Sequence, residues 1–351
     1  MKVYENSLYQ EDVEYVASID LDWSKLENKS IMISGATGLI GSMLIDVLMN
    51  KNQKGLNCTI YALGRSKQRM QDRFSYCFND PLFKYVEYDV NKKLELEDKP
   101  IDYILHLASN THPMQYSTDP IGTITTNIIG LQNLLEFAID HNTTRFAFAS
   151  SNEIYGENRG DKEKFDEKYC GYIDCNTMRA GYPESKRCGE ALCQAYKAQK
   201  GLDVVIPRLT RSYGPTLLKT DSKALSQFLH KGVAKEDIVL KSAGTQYYSY
   251  LYVADSVSGL LTVLLKGESG QAYNIADDGS DIMLKDLANI IAEYSGKKVV
   301  FEIPDAVESA GYSKATKARL DATKLQSLGF SAKYDIKAGI ERTIDVLKTL
   351  D

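Results

Sequence analysis

Short apolar runs alternate along this chain with longer stretches in which apolar residues recur every three or four positions. The runs Ser30 to Ser34, Cys58 to Leu63, Lys84 to Tyr88, Tyr103 to Ala108, Arg145 to Ser150 and Asp203 to Leu209 have strand length and strand composition. Helical periodicity fills most of the gaps, and its two longest stretches are Ile121 to His141 and Tyr182 to Gln199. Apolar strands alternating with helices predict an α/β fold with a Rossmann-like, doubly wound parallel sheet covered on both faces. After about Arg208 the elements become shorter and mixed, with helices expected near Ser222 to Lys231, Leu284 to Tyr294 and Ile336 to Leu350. That change predicts a smaller C-terminal α/β lobe over 208–351, a larger domain over 29–207 and an acidic lead-in at 1–28 that holds the only tryptophan, Trp23. No repeat and no Pro/Gly/Ser linker separates the parts, so the lobes are expected to be interwoven, with a cleft between them.

Composition narrows the class. The 351 residues are 43% hydrophobic and 25% charged, which excludes disordered and fibrous chains. With 42 basic and 47 acidic residues the formal charge is −5, so the surface as a whole repels a polyanion and nucleic acid is not expected as a partner. The nearly uncharged stretch from Ile31 to Asn50 has the length of a membrane span, but it contains Asp46, three glycines, two serines and a threonine. No membrane association follows. Residues 1 to 15 lack the basic start and apolar stretch of a secretory leader. Reduced cysteines and a cytoplasmic protein are therefore expected. The pairs Cys170/Cys175 and Cys188/Cys193 have no histidine nearby, and the second lies inside a helical pattern, so no metal site is assigned.

Three motifs carry chemistry. The first strand runs into Gly35-Ala-Thr37-Gly38-Leu39-Ile40-Gly41, where glycines permit a tight turn and close approach to a pyrophosphate at the start of a helix. This assigns dinucleotide binding to the 29–207 domain and leaves the substrate to the 208–351 lobe. Where an acidic residue would receive the ribose hydroxyls of NAD, at the end of the second strand, the chain has Arg65, which suits the 2′-phosphate of NADP. The choice between NAD and NADP stays open. Asp89, after the third strand, is a candidate for the adenine edge. The second motif, Tyr182-Pro-Glu-Ser-Lys186, places a phenol and an ammonium on one helical face. A free phenol lies about three units above neutral, roughly 4 kcal/mol from ionisation at pH 7, and a neighbouring cation offsets part of that cost. The third, Ser150-Ser151-Asn152-Glu153, puts hydroxyls and a carboxylate at the carboxyl end of a sheet strand, where open parallel sheets bind ligands.

Together these motifs resemble the extended short-chain dehydrogenase/reductases, the NAD-dependent family of nucleotide-sugar epimerases, dehydratases and decarboxylases, from about Lys29 to Leu350. The resemblance implies a tightly bound NAD or NADP and a nucleotide-sugar substrate oxidised at C4. It marks Ser151 as the contact to the sugar O4, Tyr182 as the base, and Lys186 as its charge partner and ribose contact. Val90, Leu107, Ala108, Ser109 and Asn127 join the cofactor contacts, and Asn152 and Arg179 the substrate contacts. Within the family the segments His106-Leu-Ala-Ser109, Pro120-Ile-Gly-Thr123 and Arg179-Ala-Gly-Tyr182-Pro-Glu-Ser-Lys186-Arg187 look most like UDP-glucuronate decarboxylases. Glu153 favours chemistry beyond epimerisation, because relatives that dehydrate or decarboxylate carry a glutamate there. Asn152, where the dTDP-glucose dehydratases place an acid, weakens dehydration. 4,6-Dehydration and 4-epimerisation remain alternatives, and a non-catalytic dinucleotide-binding sensor is the rival from outside the enzymes.

Two departures concern the substrate diphosphate. The family's Arg-x-x-Asn-x-x-Gly-Pro is Arg208-Leu-Thr-Arg211-Ser-Tyr-Gly-Pro215 here, and Tyr248 replaces an arginine about seven residues before Asp255. Arg211 is expected to supply the lost charge from the opposite wall, since a buried diphosphate needs cationic or amide donors. Tyr247, Tyr248, Tyr250 and Tyr252 read as a strand packed on the core before they read as a stacking surface for the base, and Tyr248 is a candidate substrate contact. The helices Ile121 to His141 and Tyr182 to Gln199 resemble the pair through which relatives form a homodimer by a four-helix bundle.

Overall fold

In the computed structural model of the chain, residues 1–96, 100–111, 113–302 and 316–350 are described. The strands are β1 (Ser30–Ser34), β2 (Thr59–Gly64), β3 (Phe83–Glu87), β4 (Tyr103–His106), β5 (Arg145–Phe148), β6 (Ser150–Ser151), β7 (Val204–Leu209), β8 (Arg211–Tyr213), β9 (Ile238–Leu240), β10 (Tyr247–Tyr252), β11 (Ala272–Ile275), β12 (Asp281–Met283), β13 (Val299–Phe301) and β14 (Lys317–Ala318). The helices are α1 (Ser7–Ser18), α2 (Leu39–Gln53), α3 (Lys67–Arg73), α4 (Pro113–Thr118), α5 (Pro120–Asp140), α6 (Gly181–Lys200), α7 (Ala224–Val233), α8 (Val253–Lys266), α9 (Leu284–Ser295), α10 (Thr323–Gln326) and α11 (Ile336–Leu347).

The central sheet has the order β3-β2-β1-β4-β5-β7-β11 with every pairing parallel. All five residues of β1 are buried, because both faces of the sheet are covered. Ile31 and Ile33 pack into the cluster that includes α2 and α8, while Met32 joins the opposite cluster built on α5 and α6. The reversal of strand order between β1 and β4 opens a crevice at the carboxyl ends of the strands.

The sequence pattern misses two features of this sheet. Its edge strand β11 comes from 272–275, so the C-terminal part of the chain completes the sheet begun by the first domain. The apolar run ending at Ser150 is also divided. The chain leaves β4 after Ala149, whose nitrogen still donates to the His106 carbonyl at 3.1 Å, and β6 pairs only with β7, through Ser150 with Arg208 and Ser151 with Leu209. The break frees the carbonyl of Ala149 for the site described below.

The acidic lead-in at 1–28, whose pattern assigns it no role, packs onto the core. Helix α1 lies against α2 and α8 and joins both lobes through three buried carboxylates. Asp46 on α2 is fully buried; it accepts from Tyr9 Oη at 2.5 Å and Tyr76 Oη at 2.7 Å and pairs with Arg73. Asp12 accepts from Tyr252 Oη at 2.5 Å and Arg342 Nε at 2.9 Å. Asp255 accepts from Tyr15 Oη and from the backbone of Lys333 and Tyr334. In the second lobe, β10 is central: it pairs antiparallel with β12 and parallel with β8 and β14, and Tyr248, Tyr250 and Tyr252 are buried along it.

Among the described residues no helix is long and apolar enough to cross a membrane, and no group of three or more potential ligands is placed to hold a metal ion. Cys193 is buried in the core while Cys188 is exposed, so that pair does not converge on one point.

Removing the Asp46 carboxylate leaves a buried guanidinium and two hydroxyls without their acceptor. Asp46→Ala is expected to cost about 3–5 kcal/mol, read as a Tm drop of roughly 5 °C or more. Glu14→Ala, which breaks the exposed pair with Lys54 at 2.5 Å, is expected to move Tm by under about 2 °C. Equal shifts would show that Asp46 is not the buried tie.

Candidate active site

A cavity of about 940 Å³ follows the strand ends from the glycine turn to the second lobe. Its floor at one end is the β1–α2 turn. Gly35 has φ +72°, and a Cβ there would sit 2.8 Å from the nitrogen of Ala108, so only glycine lets this turn press against the end of β4. A Cβ on Gly41 would lie 2.4 Å from the Gly35 carbonyl oxygen. Gly38 caps α2 with no side-chain acceptor, which leaves the first N–H groups of the helix for a ligand. Thr37, Leu39 and Ile40 line the same end. This donor set and the tight approach fit a dinucleotide pyrophosphate.

Arg65, Asp89 and Val90 line the cavity beyond the turn, and Ser66 caps α3 beside them. Leu107, Ala108 and Ser109 form the facing wall, with the Leu107 and Ala108 nitrogens both donating to Ser34 Oγ at 3.2 Å. Asn127 does not reach the cavity. It is fully buried, takes a bond from Ser109 Oγ at 2.8 Å and donates to Ser185 Oγ at 2.9 Å. Each end of its amide makes one of these bonds, so Asn127 braces the Ser109 wall against α6.

At the middle of the cavity the third motif meets the second. Tyr182 is buried, and Ser151 hydrogen-bonds its phenol oxygen. Burial, and next the Glu153 charge, push the phenol well above its usual range, while the Ser151 bond and Arg179 pull it down. Lys186 is buried one turn further on and donates to the Ala149 carbonyl at 2.7 Å, with its ammonium 4.7 Å from the Phe148 ring centre. Desolvation pushes its pKa down to about 7. His106 beneath it is held neutral, its pKa lowered to about 3 by burial and then by the Lys186 charge. Asn152 is buried beside Ser151, and Glu153 pairs with Arg179 at 2.9 Å.

The second-lobe wall corrects one expectation. Arg211 does not face Tyr248 from the opposite side. β8 and β10 are hydrogen-bonded neighbours, and the Arg211 guanidinium lies 3.6 Å from the Tyr248 ring centre. Its Nη1 is buried with no acceptor among the described residues. Tyr248 thus serves both as a buried strand residue and as the platform for a cation on the cavity wall.

Several lining residues escaped the sequence reading. Arg69, in the first turn of α3 and four residues after Arg65, lines the same end of the cavity. Tyr116 stacks on Tyr182 with ring centres 5.0 Å apart, but a lone tyrosine in a short helix has no pattern to mark it. Ser222, Lys223, Gln227 and Gln246 come from loops and α7 of the second lobe and meet only in three dimensions.

Because the folded state lowers the Lys186 pKa from about 10.5 to about 7, the unfolded chain binds the extra proton between those values, and stability rises with pH across that window. Cofactor-free Lys186→Met is expected to show its largest Tm advantage over the parent below pH 7 and to lose it towards pH 10. An advantage that does not change with pH would show that the ammonium is not desolvated.

The sequence pattern of the NAD dependent epimerase/dehydratase family matches residues 31–276. UDP-glucuronic acid decarboxylase 5 of Arabidopsis thaliana is 30% identical over 315 residues, covering 89% of this chain and 87% of the relative. UDP-glucuronic acid decarboxylase 4 of the same plant is 29% identical over 311 residues, 88% of this chain and 66% of that protein, so the chain spans about two thirds of that longer relative. Among solved structures, a dTDP-glucose 4,6-dehydratase of Streptomyces venezuelae with NAD bound superposes with a TM-score of 0.78 at 23% identity, covering 91% of this chain and 97% of that one. The UDP-glucuronic acid 4-epimerase of Bacillus cereus, in complex with UDP-glucuronic acid and NAD, gives 0.76 at 21% identity, covering 91% and 99%.

Proposed function

The chain belongs to the NAD-dependent epimerase/dehydratase family, and from that premise we propose that it oxidises a nucleotide-linked sugar at C4 and decarboxylates it, with UDP-glucuronate as the favoured substrate. The observation that supports decarboxylation most directly is Glu153, an added carboxylate at the oxidation centre, held by Arg179 and close enough to Tyr182 to raise its pKa. Exchange of configuration at C4 alone has no need of it. The curated relatives are decarboxylases, which favours the same outcome.

The first N–H groups of α2, Gly38 and the Leu107–Ser109 wall would hold the NAD, with Arg65, Arg69 and Asp89 at its adenosine end. The bound cofactor would supply a reversible acceptor for the C4 hydride. Tyr182 accepts the C4 hydroxyl proton, and Ser151 holds that oxygen. A phenol pushed up by burial is a poor base alone, so the Lys186 charge and the cofactor's charge are both required to bring it into range. The resulting C4 ketone makes the C6 carboxylate a β-keto acid: the C5–C6 bond breaks, carbon dioxide leaves, and the electron pair moves onto the C4 oxygen as an enolate. Glu153 relays the proton that C5 then takes up. Arg211 on its Tyr248 platform neutralises the diphosphate. The exposed isoleucines Ile121, Ile124 and Ile129 on α5 favour a homodimer through α5 and α6.

Incubation with UDP-glucuronate and NAD is expected to yield a product 44 mass units lighter, and Tyr182→Phe is expected to reduce its rate by at least about 100-fold. Loss of 18 units from a hexose substrate, or an unchanged mass with altered ring couplings, would replace decarboxylation with dehydration or epimerisation. Arg211→Ala is expected to weaken UDP-glucuronate binding by about 10- to 100-fold, since a charged hydrogen bond in a buried site contributes roughly 1.5–3 kcal/mol. Unchanged affinity would remove Arg211 from the diphosphate site.

A further inference from the structure

One cation at the reacting centre meets no group of the substrate in the reaction above, where it only holds Glu153. Arg179 stands on the turn that leads into α6, three residues before Tyr182. Its Nη1 donates to Glu153 Oε2 at 2.9 Å, and its guanidinium lies 4.9 Å from the ring centre of Tyr116, which is itself stacked on Tyr182. Among the described residues Glu153 is its only acceptor, and its Nε is sealed from water with no partner. The side chains of Arg179 and Glu153 are 29% and 25% exposed, and both line the cavity beside Ser151 and Tyr182.

Charge balance at this point selects among substrates. The Arg179–Glu153 pair is neutral as it stands. A sugar with a hydroxymethyl group at C6 adds no charge, whereas a uronic acid brings a second carboxylate beside Glu153 in a largely desolvated space. Two carboxylates there repel unless a cation serves both. A guanidinium can do so, because its planar fork presents donors on two edges and accepts carboxylates in bidentate geometry. The Tyr116 ring, with its centre 4.9 Å from the guanidinium, and the bond to Glu153 limit where that fork can turn.

We propose that Arg179 reads a carboxylate at C6 of the sugar, its guanidinium bridging that group and Glu153, and that it thereby makes the cavity selective for nucleotide-linked uronic acids. The inference rests on the nucleotide-sugar reading above and extends it to a specificity-determining residue.

Calorimetry with the NAD-loaded Tyr182→Phe protein, which holds chemistry off, measures binding of UDP-glucuronate and UDP-glucose. Adding Arg179→Met is expected to lower UDP-glucuronate affinity about 10- to 100-fold and UDP-glucose affinity by no more than about threefold, with Arg179→Lys, which keeps the charge, in between. Equal losses for the two sugars, no loss for either, or a parent that does not prefer the uronate would overturn the assignment. Carbon dioxide release is measured separately with Tyr182 intact. Decarboxylation without discrimination at Arg179 sinks the selectivity role and keeps the proposed reaction; discrimination in a protein that releases no carbon dioxide does the reverse.

Discussion

The site depends on an ammonium held out of water. Lys186 reaches the cavity from α6 with its charge against the Phe148 ring and a single backbone acceptor, the Ala149 carbonyl. That carbonyl is available only because the strand breaks between β5 and β6, where the chain gives up pairing with β4. The same break turns Ser151 towards Tyr182 and starts the short turn that bears Asn152 and Glu153. Sheet geometry, a poorly solvated cation and the placement of the hydroxyls are therefore one arrangement. A buried lysine near neutrality is easily biased, so a second positive charge or a bound anion has a large effect on it.

The two lobes are not separable bodies. β11 is contributed late in the chain and closes the edge of the first domain's sheet, while α8 packs on the same face as α2. Helix α1 is tied to the rest of the fold through three buried carboxylates on different helices: Asp46 of α2 receives Tyr9 and Tyr76, Asp12 of α1 receives Tyr252 and Arg342, and Asp255 of α8 receives Tyr15 and the chain at Lys333 and Tyr334. Thr216 also donates to the Leu39 carbonyl at 2.9 Å, so the start of the glycine-turn helix is tied to the second lobe. A cavity between lobes fixed in this way is shaped before any ligand arrives, which favours orientation over induced closure.

Cations are placed along the cavity according to what each must meet. Arg211 lies over Tyr248, and Arg179 lies beside Tyr116 and pairs with Glu153. Both guanidiniums have an aromatic neighbour, which favours a cation there while leaving donors for a ligand. Arg208, by contrast, is consumed inside the fold by Glu190, Tyr155 and the Glu167 carbonyl, and it supports the site only by holding Ser150's partner Glu190. Three arginines near one strand end thus have different fates, set by whether acceptors from the protein already surround them.

By itself the sequence determined the class of fold, the glycine turn with its helix, and the pairing of Tyr182 with Lys186, because these depend on local spacing: short apolar strands, φ-permissive glycines and a four-residue helical step. The run ending in Ser151 and Glu153 was legible for the same reason. What lay beyond it was the edge strand β11, whose four residues carry no periodicity that distinguishes them from a loop segment, and the structural role of α1, whose buried Asp12 looks like a surface acid until its partners are known. Asn127 was legible as a nearby residue but not as an internal brace, since its two partners come from different elements. The tertiary structure alone decided that Arg211 shares a wall with Tyr248, that Tyr116 covers Tyr182, and that Arg179 holds Glu153 with donors unused. Each of these contacts joins residues that a one-dimensional pattern cannot bring together, and their chemistry depends on distance and burial, which exist only once the chain has folded.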